Sequence, residues 1–125
     1  MKEELIKELE ESGAKFNKNE IVFITKDKSG MLVWLETGNG LAGLKHIVER
    51  HREDFEKAFG INEESIPIFL KNTITNGEIV STRERIIANR RSFEKVYLYE
   101  DTKLVMTGIG GNGFIVSAYP SERRD

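Results

Sequence analysis

An α+β domain, with N-terminal helices packed on an antiparallel, meander-type β-sheet, is the fold class this sequence predicts. Three observations carry it. Apolar residues recur at helical spacing in segments up to Asn76, period-two alternation dominates after Gly77, and short polar or glycine-rich turns separate the alternating runs. Helices first and strands afterwards is the element order of an α+β layer architecture.

Taken in order, residues 2–12 read as a short amphipathic helix, with Leu5, Ile6 and Leu9 on one side and Ser12-Gly13 at its end. Residues 21–25 and 31–37 are β-rich, and Lys26-Asp27-Lys28-Ser29-Gly30 between them signals a hairpin. Over 41–59 the period changes. Leu44, Val48, His51, Phe55 and Ala58 recur at spacings of three and four, the buried stripe of a helix, and Gly60 stops it. A further helix is predicted over 65–76, with Ser65 as N-cap, Pro67 in its first turn, and Ile66, Phe69, Leu70 and Ile74 inward. Strands are then expected at 79–83, 85–89, 95–100, 103–107 and 113–119. Glu100-Asp101-Thr102 and the stretch 108–112 serve as hairpin turns.

The totals bound the function. A chain of 125 residues suits a single domain with one core, and 38% hydrophobic against 32% charged residues argues against disorder. No apolar run reaches the roughly 18–20 residues that span a bilayer, and Met-Lys-Glu-Glu-Leu-Ile has no apolar leader character, so no membrane partner is expected. The absence of cysteine excludes disulfides, thiolate nucleophiles and Cys-ligated zinc. A net charge of −2 argues against a strongly basic nucleic-acid binder, but the charge is uneven. Arg83, Arg85, Arg90, Arg91 and Lys95 cluster within a few positions, against Glu84 and Glu94. That stretch is a local basic patch, with Arg90 and Lys95 as candidate substrate-binding cations.

Alternation sorts the later strands into two faces. Val96, Leu98, Leu104, Met106, Phe114, Val116 and Ala118 form an apolar set expected to pack under the helices. Lys95, Tyr97, Tyr99, Lys103, Thr107, Ser117 and Tyr119 belong to the opposite set, which mixes cations, hydroxyls and rings. Such a face suits a polyanion, since lysines neutralise phosphate and tyrosines stack on bases; an ordinary solvated sheet face is the competing reading.

Both histidines fall in Lys45-His46-Ile47-Val48-Glu49-Arg50-His51. Five residues apart on a helix, they project roughly 140° from one another, which does not suit a shared metal. No compact carboxylate cluster substitutes, so no metal and no cofactor are expected. Either imidazole can act as general acid or base near neutral pH. The run Gly108-Ile109-Gly110-Gly111-Asn112-Gly113 has phosphate-loop-like spacing, but a strand follows it where a dinucleotide site needs a helix, so it reads as a hairpin turn.

Two stretches together resemble a known group. Gly43-Leu44-Lys45-His46-Ile47-Val48-Glu49-Arg50-His51, a second helix ending in Asn76-Gly77, and then Asn112-Gly113-Phe114-Ile115-Val116-Ser117-Ala118-Tyr119-Pro120 follow one another as in the barnase–EndoU–colicin–RelE-like nucleases of phage proteins and bacterial polymorphic toxins. The resemblance covers about 40–120 and leaves 1–36 without a functional reading. It implies catalytic roles for His46, His51 and the last-strand hydroxyl Ser117, a position often held by Thr in that group, with Tyr119 beside it. Lys45, Arg90, Lys95 and Tyr97 are the accompanying substrate-binding candidates.

The chemistry expected is metal-independent cleavage of RNA, with tRNA among the candidates, by attack of the ribose 2′-hydroxyl on the adjacent phosphorus. One histidine removes the 2′-hydroxyl proton, and a second acid protonates the leaving 5′-oxygen. The resemblance further implies a cytoplasmic site of action, delivery within a larger secreted toxin or phage protein, and a cognate immunity protein. A non-enzymatic RNA- or protein-binding module of the same fold is the alternative, followed by an enzyme acting on small phosphorylated ligands.

Overall fold

The computed structural model describes residues 2–99 and 103–121. Its elements run α1 (Lys2–Glu11), β1 (Ile21–Lys26), β2 (Leu32–Glu36), α2 (Leu44–Phe59), α3 (Ile66–Asn76), β3 (Glu78–Ile87), β4 (Arg90–Tyr99), β5 (Lys103–Gly110) and β6 (Ile115–Ser121), with one-turn 3₁₀ segments at Lys18–Glu20 and Glu63–Ser65. Strands β1 and β2 form an antiparallel pair, and β3-β4-β5-β6 form a four-stranded antiparallel meander. A parallel bridge between Trp34 and Phe114 joins the two sheets. This is the α+β fold that the sequence predicts.

The hairpin β1–β2 is packed on both faces. Phe23, Val33 and Leu35 join Ile47 and Phe55 of α2, Ile66, Phe69, Leu70 and Ile74 of α3, and Tyr97, Val105, Ile109 and Ile115 of the meander in the main core. Its other face offers Ile24 and Trp34 to Ile6 and Leu9 of α1, forming a smaller second core. The alternation of a strand sends successive side chains to these two cores.

Several expectations are corrected. The predicted strands at 79–83 and 85–89 are one ten-residue strand, β3, and β4 begins at Arg90. The turn lies at Ala88-Asn89, both with positive φ (53° and 65°), as a tight two-residue hairpin connection requires. Sequence reading missed it because Ala is a poor turn signal. Ser65 stands at the head of α3 but makes no capping bond; Asn62, whose Oδ1 accepts from the Ser65 N–H, caps the preceding 3₁₀ turn. The expected turn at Glu100-Asp101-Thr102 lies outside the described residues.

Along β4 and β5 the face that meets the main core is the reverse of the one expected. Tyr97, Val105, Thr107, Ile109 and Ile115 point into the protein, and Lys95 goes with them. Val96, Leu98, Leu104 and Met106 alternate with them on the opposite face and join neither core cluster, although Val96 and Leu104 are themselves buried. Alternation shows which residues share a face but not which face is inside. Here the carboxylate of Asp27, from the β1–β2 turn, supplies the buried partner that lets a lysine and a tyrosine face inward. A bulge in β6 also splits the predicted last-strand set: Ile109 pairs with Ile115 and Gly108 with Ser117, so one extra residue is inserted. Ala118 therefore joins Ile115 in the core.

Candidate functional site

The face built by α2 and the edge strand β6 brings together three of the four sequence-predicted catalytic residues, His46, His51 and Tyr119. The loop before α2 folds tightly. Gly43 has φ of 90°, and a side-chain carbon there would meet the Glu36 carbonyl oxygen at 2.9 Å, so only glycine fits. From that position the Gly43 N–H donates to the Val116 carbonyl (3.0 Å), and the Lys45 N–H donates to the Thr37 carbonyl (2.9 Å). These bonds fix the first turn of α2, and with it His46, against β6.

His46 and His51 come together despite the wide angle expected between them. Their ring centroids are 6.3 Å apart with planes at 83°. The angle refers to the directions in which the side chains leave the helix, and the length of the side chains lets the rings end closer together than those directions imply. His51 stacks on Tyr119 of β6, centroid to centroid 4.9 Å at 28°. Offset stacking of this kind is a favourable aromatic geometry.

Each imidazole is held through Nδ1. His46 Nδ1 lies 3.0 Å from the Gly40 carbonyl oxygen, and His51 Nδ1 lies 2.9 Å from Asp54 Oδ2. A carbonyl and a carboxylate both accept, so Nδ1 carries the proton in each ring and Nε2 is left to exchange one. Asp54 was not singled out in the sequence. The signal was present, because positions three apart on a helix are neighbours and His51-x-x-Asp54 has that spacing.

Ser117 is half-buried and pairs with Gly108, while Tyr119 pairs with Met106 two positions along the same ladder, so both share one strand face. No hydrogen bond or ring contact joins Ser117 to either histidine among the described residues. Lys45 is exposed in the first turn of α2. Arg90 is exposed at the far end of the molecule's longest hairpin, next to the Ala88-Asn89 turn.

Lys95 and Tyr97 are corrected as substrate-binding residues. Their exposures are 3% and 0%, which removes both from contact with a polymer in solution. Lys95 Nζ donates to Asp27 Oδ2 (2.6 Å) and to Ser29 Oγ (3.1 Å), and the Tyr97 hydroxyl donates to the same carboxylate oxygen (2.9 Å). Burial pushes the Asp27 carboxyl up, but bonds from Lys95, Ser29 and Tyr97 and the Lys95 charge outweigh it and hold it below its ordinary value. For the Tyr97 phenol, burial, then the Asp27 charge, then the shared hydrogen bond all act in one direction and push it far up.

Among the described residues no group of three or more His, Asp or Glu stands close enough to hold a metal ion, and no helix is long and apolar enough to cross a membrane. No family model matches this chain, and no characterised protein matches it in sequence.

Proposed function

We propose that the chain is a metal-independent endoribonuclease that cleaves by 2′-hydroxyl transesterification. The observation that carries this reading is the convergence of His46, His51 and Tyr119 on one open face, with each imidazole anchored at Nδ1 and presenting Nε2. Transesterification of RNA needs one group to take the 2′-hydroxyl proton and another to protonate the leaving 5′-oxygen. Two oriented imidazoles a ring-width apart supply that pair. The Tyr119 hydroxyl, the Ser117 hydroxyl and the Lys45 ammonium are the donors on this face for the charge that accumulates on the phosphoryl oxygens. DNA lacks the attacking hydroxyl, so the chemistry selects RNA. If the chain serves as a toxin domain, a cognate immunity protein would cover this face with complementary acidic groups.

The test is incubation of purified protein with total bacterial RNA in EDTA, beside His46→Ala, His51→Ala and Ser117→Ala variants shown to be folded. Discrete cleavage products from the wild type, lost in the histidine variants, are the expected result. RNA that stays intact in the presence of folded wild-type protein, with tRNA included, would refute the enzyme and favour an RNA-binding module of the same fold.

A further inference from the structure

A second feature lies on the other side of Val116. An open trough of about 1850 Å³ runs between the segment 12–16 after α1 and the paired hairpin tips 88–92 and 110–112, with Glu36, Phe114 and Val116 completing its lining. Pockets for small ligands are usually about 300–1,000 Å³ and enclosed, so the size and openness of this trough suit a segment of polymer.

Its polar groups are disposed for a polyanion. Lys15 and Arg90 stand on opposite walls, both exposed, and neither has a carboxylate within ion-pair distance among the described residues. Arg91, by contrast, is engaged by Glu84. The one carboxylate in the lining is Glu36, and it is occupied: its Oε2 accepts from the Trp34 indole N–H (2.9 Å) and the Asn17 N–H (3.1 Å). Asn89 and Asn112 add side-chain amides to the lining, the Asn112 Oδ1 accepting from the Phe114 N–H (3.2 Å). Phe16 and Phe114, each edge-on to Trp34 of the second core, add half-buried rings. The two hairpin tips act as one wall because the Gly111 N–H donates to the Arg91 carbonyl (2.9 Å). A side-chain carbon at Gly111 would sit 3.0 Å from that same oxygen.

We infer that this trough binds the backbone of single-stranded RNA and leads it to the histidine pair. Cations set across a groove whose lining also carries partly exposed rings suit a single strand, where charge holds phosphate and rings accept bases regardless of sequence. The trough ends at Val116, whose carbonyl receives the Gly43 N–H at the head of α2, and the next residue is Ser117. A strand leaving the trough there enters the first turn of α2, where His46 stands. The inference rests on the nuclease reading for its direction, but binding can be measured without cleavage.

The experiment uses wild-type protein and a short fluorescein-labelled 2′-O-methyl oligoribonucleotide, which has no free 2′-hydroxyl to attack. Fluorescence anisotropy gives Kd across a salt series in EDTA. Lys15→Glu/Arg90→Glu is expected to weaken binding at least about tenfold. It should also flatten the slope of log affinity against log salt by about 1.4, since each lost single-strand phosphate contact accounts for roughly 0.7. Lys57→Glu/Lys71→Glu makes the same change in net charge at exposed positions on α2 and α3, away from the trough, and should change Kd less than about twofold. Equal weakening by both double variants, or by neither, overturns the inference. Parallel incubation with unmodified RNA separates the two readings. Cleavage with trough-independent binding leaves the nuclease and removes the groove, whereas trough-dependent binding without cleavage does the reverse.

Discussion

Two clusters of ionisable side chains, Asp27–Lys95–Tyr97 and His46–His51–Tyr119, differ in how fully their hydrogen-bonding capacity is used. In the first, the Asp27 carboxylate accepts from the Ser29 N–H and hydroxyl and the Met31 N–H on one oxygen, and from Lys95 and Tyr97 on the other. Nothing is left over, and Lys95 and Tyr97 are sealed from water. In the second, each imidazole spends one nitrogen on an anchor and keeps the other, on a face that water reaches. A saturated, buried cluster serves structure. A half-saturated one at the surface is suited to chemistry.

If that distinction is right, breaking the first cluster costs stability and breaking the second costs rate. The largest effect is expected at Lys95→Met, which leaves the Asp27 carboxylate buried beside Tyr97 without its cation. Losing one partner of a buried pair costs about 3–5 kcal/mol, to be read from urea unfolding. A loss under about 1 kcal/mol would show that water reaches the site and that the cluster is not sealed.

Next come His46→Ala and His51→Ala, each expected to slow RNA cleavage about 10²–10⁴-fold, the usual contribution of a positioned acid or base. Their unfolding midpoints should move little, since both rings lie at the periphery. If stability fell and the rate per folded molecule did not, the histidines would belong with the first cluster.

Asp54 sharpens the comparison. It is more than half exposed, so its pair with His51 adds little to stability. As a positioning residue for His51 it should matter to rate: Asp54→Leu is expected to slow cleavage about tenfold, while Asp54→Asn, which keeps an accepting oxygen for Nδ1–H, should restore most of it. Equal rates for the two variants would remove the positioning role.

The smallest effects concern pH. The Asp27 carboxyl is held below its ordinary value of 3.8, so it binds protons more weakly folded than unfolded. The stability it contributes is complete above that value and is lost as pH falls below it toward the folded-state value. The Tyr97 phenol is displaced upward from 10.0, so its contribution is complete below pH 10 and is lost as pH rises beyond it. Stability against pH should therefore fall at both ends. Tyr97→Phe should abolish the alkaline fall, at a cost of about 1 kcal/mol at neutral pH for the lost hydrogen bond. An unchanged alkaline limb in that variant would assign it to other groups.

The helices, the early hairpin and the meander were legible because their signals are local: the stripe Leu44, Val48, Phe55, the Lys28-Ser29-Gly30 turn, and glycines at helix ends. That His46 and His51 share one helix was also legible. What could not be read were the facts set by distant partners. Lys95 and Tyr97 look like a surface pair until Asp27, from another hairpin, is placed beside them. The β6 bulge changes the face of Ala118 without any mark in the sequence. The convergence of the histidines depends on Tyr119 and the Gly40 carbonyl, which only the docking of α2 on β6 brings near.

The Asp27–Lys95 bond also bears on the order of folding. It joins positions 68 residues apart, and closing so long a loop has an entropic cost that local turns avoid. A pair buried only once the hairpin and the meander have docked is expected to form late in the reaction. Its removal should therefore speed unfolding and leave the folding rate nearly unchanged. The bond then acts as a latch on a completed structure: it contributes little to the speed of assembly and much to the time the molecule stays assembled.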